Sequence, residues 1–246
     1  MIPYGRTSES SPTSTFFNHF NPFNHFNQFN PLSLNSQLRH TLSFNRGNPK
    51  FSLELVTQKQ ATRTTLINGA EGKNTFSNSL LLRYRINPAW QLNSNSEMSN
   101  RQSISEFFPA RNFGLTSLSQ LLEVGCETGK RLRISFNAEL RSEKNSTDGS
   151  SLLSNRAETI LTTEIPDKGQ ISLSVQYVFI RFTGSAASPS GYTMLRGLQN
   201  GHNGIAQLSA RYKIGKNLVL EGMYEGRITG SGKPVHNAQL QVRALF

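Results

Sequence analysis

From about residue 36 to the C-terminus, one arrangement recurs: apolar residues at every second position, in segments of roughly 9–13 residues. The last segment shows it best. Ala238, Leu240, Val242, Ala244 and Phe246 alternate with Gln239, Gln241, Arg243 and Leu245. Successive side chains of an extended strand point to opposite faces, so such a segment has one apolar and one polar face. A helix would need apolar residues three and four apart, and these segments do not supply them.

Ten further segments follow the same rule with varying strength. The clear ones are Leu218–Ile228, Ala206–Ile214 and Leu132–Leu140. Weaker ones are marked by Ile171–Phe179, Ala157–Ile165, Phe76–Ile86 (with Asn78 as an exception), Trp90–Met98 and Leu122–Cys126. Phe51–Leu55 and Leu38–Phe44 complete the series. About eleven strands result. Their length suits a tilted membrane-crossing strand of about 9–11 residues better than a globular strand of about 5–6.

The connections alternate too. Thr229–Asn237, Thr183–Asn203, Ser142–Leu152, Ser99–Phe113 and Gln58–Thr75 are long. Gly215–Asn217, Pro166–Gln170, Glu127–Arg131, Asn87–Ala89 and Asn45–Lys50 are short. Outer-membrane barrels combine short periplasmic turns with long external loops, whereas nothing in a soluble sandwich lengthens every second loop. The fold class expected is all-β: an antiparallel up-and-down transmembrane β-barrel in a bacterial outer membrane. Residues 36–246 form the barrel region. Residues 1–35 form a disordered or extracellular low-complexity segment. A polar lumen face and polar loops account for a hydrophobic content of only 35% and a mean hydropathy of −0.44. No run of 18 apolar residues exists, which excludes a membrane-spanning helix.

An odd strand count puts the start of the first strand, near Leu38, on the external side. Single-chain bacterial barrels are usually even-stranded with both ends inside, so the chain is expected to be the C-terminal part of a larger even-stranded barrel. Met1–Thr15 lacks the basic start, apolar stretch and cleavage site of a secretory signal. Residues 16–31, FFNHFNPFNHFNQFNP, match neither a helix face nor a strand.

The C-terminal residues add a resemblance. Apolar residues at alternate positions ending in Phe246 resemble the signal by which the barrel assembly machinery recognises outer-membrane proteins. Leu240, Val242, Ala244 and Phe246 would carry it. The stretch from Gly197 to Asn203, followed by YEGRITGSGKPVHNAQLQVRALF, resembles the last hairpins of large outer-membrane barrels of the Bacteroidota. The likeness covers about the last fifty residues. It implies outer-membrane lipid and the assembly machinery as partners, with long loops open to a surface partner.

No catalytic, metal or cofactor site emerges. Gly230-Ser231-Gly232-Lys233 lacks the spacing of a phosphate loop, and Pro234 stands where Ser or Thr is required. His19 and His25 have no carboxylate or cysteine nearby. His236 has no neighbouring Asp and suits a hydrogen bond at a loop base. Cys126 alternates with Val124 and Leu122 and reads as a small lipid-facing apolar residue. The expectation is a non-enzymatic protein without cofactors.

Lys and Arg number 26 against 15 Asp and Glu, a net charge of +11. Most of these side chains fall on polar strand faces or in loops. Lumen ion pairs are the first reading, with Arg211 opposite Glu221 as the specific case. That pairing follows from the turn Gly215–Asn217, which sets Ile214 against Leu218 and Tyr212 against Leu220. A cation-lined channel or transporter for polar, anionic solutes is the alternative. A soluble basic β-protein binding nucleic acid ranks last, because the charge is spread over most strands rather than gathered in one patch. Function therefore divides between a surface scaffold and a pore.

Overall fold

The computed structural model describes residues 32–66, 69–129, 131–215 and 217–244. Residues 1–31, with His19, His25 and most of the low-complexity segment, lie outside them. So do Lys216, Leu245 and Phe246.

Eleven strands form one sheet in chain order. They are β1 (Ser33–Phe44), β2 (Phe51–Leu66), β3 (Gly69–Arg85), β4 (Trp90–Ser105), β5 (Phe113–Thr128) and β6 (Leu132–Asn145), then β7 (Ser151–Ile165), β8 (Gly169–Thr183), β9 (Gly201–Ile214), β10 (Leu218–Thr229) and β11 (Val235–Ala244). Every pairing joins neighbours in sequence and is antiparallel. Among the described residues β1 and β11 do not pair with each other. Both run from the loop end to the short-turn end, so meeting directly they would lie parallel. Among the described residues one short helix, α1 (Pro189–Leu195), interrupts the β8–β9 connection, and a single 3₁₀ turn, Pro109–Arg111, the β4–β5 connection.

The register fixes the tilt. A line of directly paired residues begins at Phe51, the first residue of β2. It passes through Tyr84, Leu92, Val124, Phe136, Thr159, Val175 and Ala206 to Gly226. Gly226 lies eight positions beyond the first residue of β10, eight strands away. The stagger is one residue per strand. At about 3.3 Å per residue and 4.8 Å between strands, the strands tilt by about 35°. Ten residues at that tilt rise about 27 Å, close to the apolar band of an outer-membrane barrel.

Directly opposed residues share a face, so the register also assigns every side chain to one of two faces. All eleven apolar sets named from the sequence fall on the same one, the convex face. The three-residue turn gives the register its geometry required: Ile214 pairs with Leu218, Tyr212 with Leu220 and Arg211 with Glu221, with Gly215 at a φ of 77°. Gly tolerates this left-handed conformation at no steric cost.

Several connections read as long are instead strand. Residues 58–75 were expected as a loop, yet β2 runs on to Leu66 and β3 begins at Gly69. β4 extends to Ser105, and β9 begins at Gly201 rather than near Ala206. These extensions, such as Gln58–Thr65, are largely polar on both faces, with isolated apolar residues such as Ala61 and Ile104. A polar-polar alternation has no hydrophobic signature, but its backbone still continues the hydrogen-bond ladder of the hairpin. The strands consequently reach 10–17 residues, longer than the sequence suggests.

Candidate functional site

The two faces differ in charge. The concave face of the strands carries twelve bases: Arg39, Lys73, Arg83, Arg85, Arg101, Arg133, Arg141, Arg156, Arg211, Lys213, Arg227 and Arg243. It carries eleven acids: Glu54, Glu71, Glu97, Glu123, Glu127, Glu139, Glu143, Glu158, Glu164, Glu221 and Glu225. The convex strand face carries only Lys59, Arg63, Lys144 and Arg181, all toward the loop end. The concave surface is thus nearly neutral, and the surplus among the described residues lies at the rims and convex margin.

Ion pairs thread the concave face. Arg156 Nε lies 2.9 Å from Glu139, Arg211 Nε 3.3 Å from Glu221 and Arg243 3.6 Å from the same carboxylate. Arg227 reaches Glu225 at 3.2 Å and Arg133 reaches Glu123 at 3.8 Å. Glu158 accepts from Ser174 Oγ at 2.7 Å and from Asn137 Nδ2 at 3.2 Å. Register sets Arg156 directly opposite Glu139, Arg211 opposite Glu221 and Asn137 opposite Glu158, while the other contacts run diagonally or along one strand, so alternation along each strand becomes a charge mosaic across the sheet.

At the loop end the concave face turns apolar. Leu115, Leu152, Val178 and Ile180 are buried there, and α1 lies on them with Met194 and Leu195. Phe113, Phe182 and Leu198 border the cluster. The local sequence explains the helix. Ser188 caps it, accepting from Gly191 N at 3.0 Å, and Pro189 at the first position needs no N–H partner. Arg196, at a φ of 52°, ends it, its N–H bonded to Tyr192 O.

Polar contacts fasten this helix to the wall. Arg141 Nη2 donates to Met194 O at 3.2 Å and pairs with Glu143 at 3.3 Å, which also meets Arg196 at 3.6 Å. Cations suit the last carbonyls of a helix. Asp148, in the β6–β7 loop, accepts from Ser190 Oγ at 2.9 Å, from Ser150 Oγ at 2.6 Å and from Asn145 Nδ2 at 2.6 Å. These bonds, with those from Ser150 largest, hold its carboxyl down to about 2. Asn203, almost fully buried, donates to Gln199 O at 2.8 Å and accepts from Gln199 N at 3.0 Å.

The sequence reading missed this helix, although two signals were present. Ser188-Pro189 is a helix start. Tyr177–Ile180 is apolar on both faces, which marks a strand covered on both sides at that level.

Of the residues singled out from the sequence, Arg211 and Glu221 sit together on the concave face. Leu240, Val242 and Ala244 share the convex face of the edge strand β11, while Phe246 lies outside the described residues. Cys126 points to the convex face. His236 Nδ1 bonds the Tyr224 hydroxyl at 2.7 Å, across from Gly226. The pair has a counterpart in Tyr177 and His202, 2.5 Å apart. Both lie on the convex face in the loop-side half of their strands. Among the described residues no three His, Cys, Asp or Glu side chains are grouped closely enough to hold a metal.

The chain is therefore an all-β protein, an up-and-down sheet of eleven antiparallel strands with an apolar convex face and a polar concave one. No family model matches the sequence, and no curated protein does. Solved structures with a similar fold include OmpT, an outer membrane protein of Vibrio cholerae, at 8% identity and a TM-score of 0.48. That match covers 87% of this chain and 96% of the other. The β domain of the Bordetella autotransporter Brka is similar at 11% identity and a TM-score of 0.41, covering 89% and 94%. The translocator domain of the autotransporter NalP from Neisseria meningitidis follows at 15% and 0.34, covering 88% and 82%.

Proposed function

We propose that this chain forms the wall of a β-barrel in a bacterial outer membrane and serves as a scaffold whose lumen is narrowed by α1. The observation that carries the reading is the division of charge. Twenty-three charged side chains line the concave face of the strands, and the four on the convex face sit toward the loop end. A soluble sheet has no reason to leave Leu42, Met98, Phe136, Leu140, Val175 and Leu240 each 50–71% exposed on one surface. Lipid supplies the reason. The hairpin motif at the C-terminus supports a Bacteroidota-type protein, with Leu240, Val242, Ala244 and Phe246 presented to the assembly machinery and the loops to a surface partner.

Single cysteines at successive positions from Ile171 to Gln176, in a Cys126→Ser background, test the membrane reading. In lipid vesicles a polar thiol reagent should label positions 172, 174 and 176 and spare 171, 173 and 175. Equal labelling would contradict it.

A scaffold is preferred to an anion channel because the concave charges nearly balance and α1 occupies the loop end. No catalytic role is assigned. In planar bilayers the protein should give little steady conductance, and replacing residues 186–199 with a short Gly-Ser linker should raise it. Steady anion-selective conductance of the unaltered protein would favour the channel.

A further inference from the structure

We propose that the convex face of β2–β5 is a contact surface for a second copy of this chain within the membrane; the proposal rests on the membrane reading above. The observation is a break in the apolar band. Consider convex positions four to eight residues from the turn end of each strand, the middle of the bilayer at this tilt. On β6–β10 they hold Phe, Leu, Val, Ala and Gly, the hydroxyl of Thr159 and the two tyrosines already described. On β2–β5 the same level holds Leu55, Leu80, Met98, Leu122 and Val124, interrupted by Thr57, Asn78, Ser94, Ser96 and Gln120, with Lys59 at its upper margin.

Hydrocarbon offers these groups no hydrogen-bond partner. They satisfy one another in part. Gln120 Nε2 donates to Ser94 Oγ at 2.8 Å, Ser96 Oγ donates to Gln120 Oε1, and Thr57 Oγ1 donates to Asn78 Oδ1 at 2.8 Å. The Nδ2 group of Asn78 makes no hydrogen bond among the described residues. Met98 and Leu118 project beside the cluster, 51% and 61% exposed. Apolar knobs beside neutral hydrogen-bonding groups suit a protein surface better than acyl chains.

The occupant follows from the chemistry. Hydroxyls and carboxamides both donate and accept, so the patch complements itself, and its five central residues carry no charge that would select an opposite partner. A two-fold axis along the membrane normal keeps both turn ends on one side and brings the patch against its own copy. Four strands by about eight residues cover roughly 19 Å by 26 Å. Two such faces bury about 1,000 Å², the lower size for a specific interface.

Disulfide trapping tests this on the full chain. Met98→Cys, in the Cys126→Ser background, is reconstituted in phosphatidylcholine vesicles and oxidised, with Val175→Cys on the far wall and Leu240→Cys at the open edge as comparisons. The Met98→Cys protein should give a covalent dimer several-fold more readily than either. Adding Gln120→Leu should lower that dimer yield about fivefold, the effect of one lost hydrogen bond, with heat-modifiable migration retained. Equal trapping at the three positions, strongest trapping at 240, or none at 98 would overturn the contact, as would a yield indifferent to Gln120→Leu. Labelling of Val175→Cys by a polar reagent in the same vesicles separates the two failures. If 175 is protected and 98 stays monomeric, only the contact is lost; if 175 labels freely, the membrane reading falls first.

Discussion

Gly169 opens β8, and a Cβ there would collide with the backbone carbonyl of Arg211 on β9. Backbone cannot move aside as a flexible side chain can. Gly169→Ala should therefore destabilise the sheet by about 1–3 kcal/mol, the usual range for overpacking, measured as a lower temperature of the heat-modifiable transition. Glycine has a different use at 226. The Tyr224 ring lies over it, with its hydroxyl on His236. A Cβ at Gly226 would stand 3.2 Å from that hydroxyl, so the open position makes room for the tyrosine. By contrast, Arg211–Glu221 has its arginine side chain 60% exposed, so water screens it, and replacing either partner should change stability by well under 1 kcal/mol.

Strands and helix obey different rules. On β11, Leu240 faces outward with Val242, and Gln241 faces Glu221 on the concave side. Leu240→Arg should cost about 2–4 kcal/mol in a bilayer and Gln241→Arg far less, measured by denaturant titration of the reconstituted protein. Equal costs would contradict the assignment of faces. The helix depends on its fastening. Bonds from Ser150 above all, then from Ser190 on the helix and from Asn145, lower Asp148 from 3.8 to about 2, so they contribute fully above the ordinary carboxyl range and are lost as pH falls through about 2. Asp148→Asn weakens the same contacts at neutral pH. A cysteine at Met194, wholly buried in the native packing, should resist thiol labelling near pH 7 and react faster when Asp148→Asn is added.

For the molecule as a whole, the uncovered edges matter most. β1 and β11 are exposed on both faces and hydrogen-bonded on one side only among the described residues. Such edges invite pairing. Deleting Phe246 should lower the yield of membrane-inserted protein while leaving synthesis intact, read as loss of heat-modifiable migration. Normal migration of the deletion would count against an assembly signal at the C-terminus.

Strand number, the common apolar face and the tight turn at Gly215 were legible because each is a local property. Alternation has a fixed period of two, and a three-residue turn permits one register. The polar hairpin extensions beyond Gln58 and Ser99 were not legible, since their ladder is held by backbone groups common to every residue. Asn78 stood out as an exception to its own strand. Its significance needed the tilt, which brings it level with Ser96 and Gln120 and with the apolar positions of β6–β10.

By itself, then, the sequence determined two faces and an up-and-down order. Side-chain polarity at alternate positions is decided one strand at a time, and short turns force neighbours to pair. Only the tertiary structure decided the rest. The seat of α1 joins Leu115, Leu152, Val178 and Ile180 from three strands to a helix in the β8–β9 connection. The ion pairs of the concave face depend on which charges register brings within reach of one another. Those are relations between distant residues, set by stagger and curvature, and no single segment contains them.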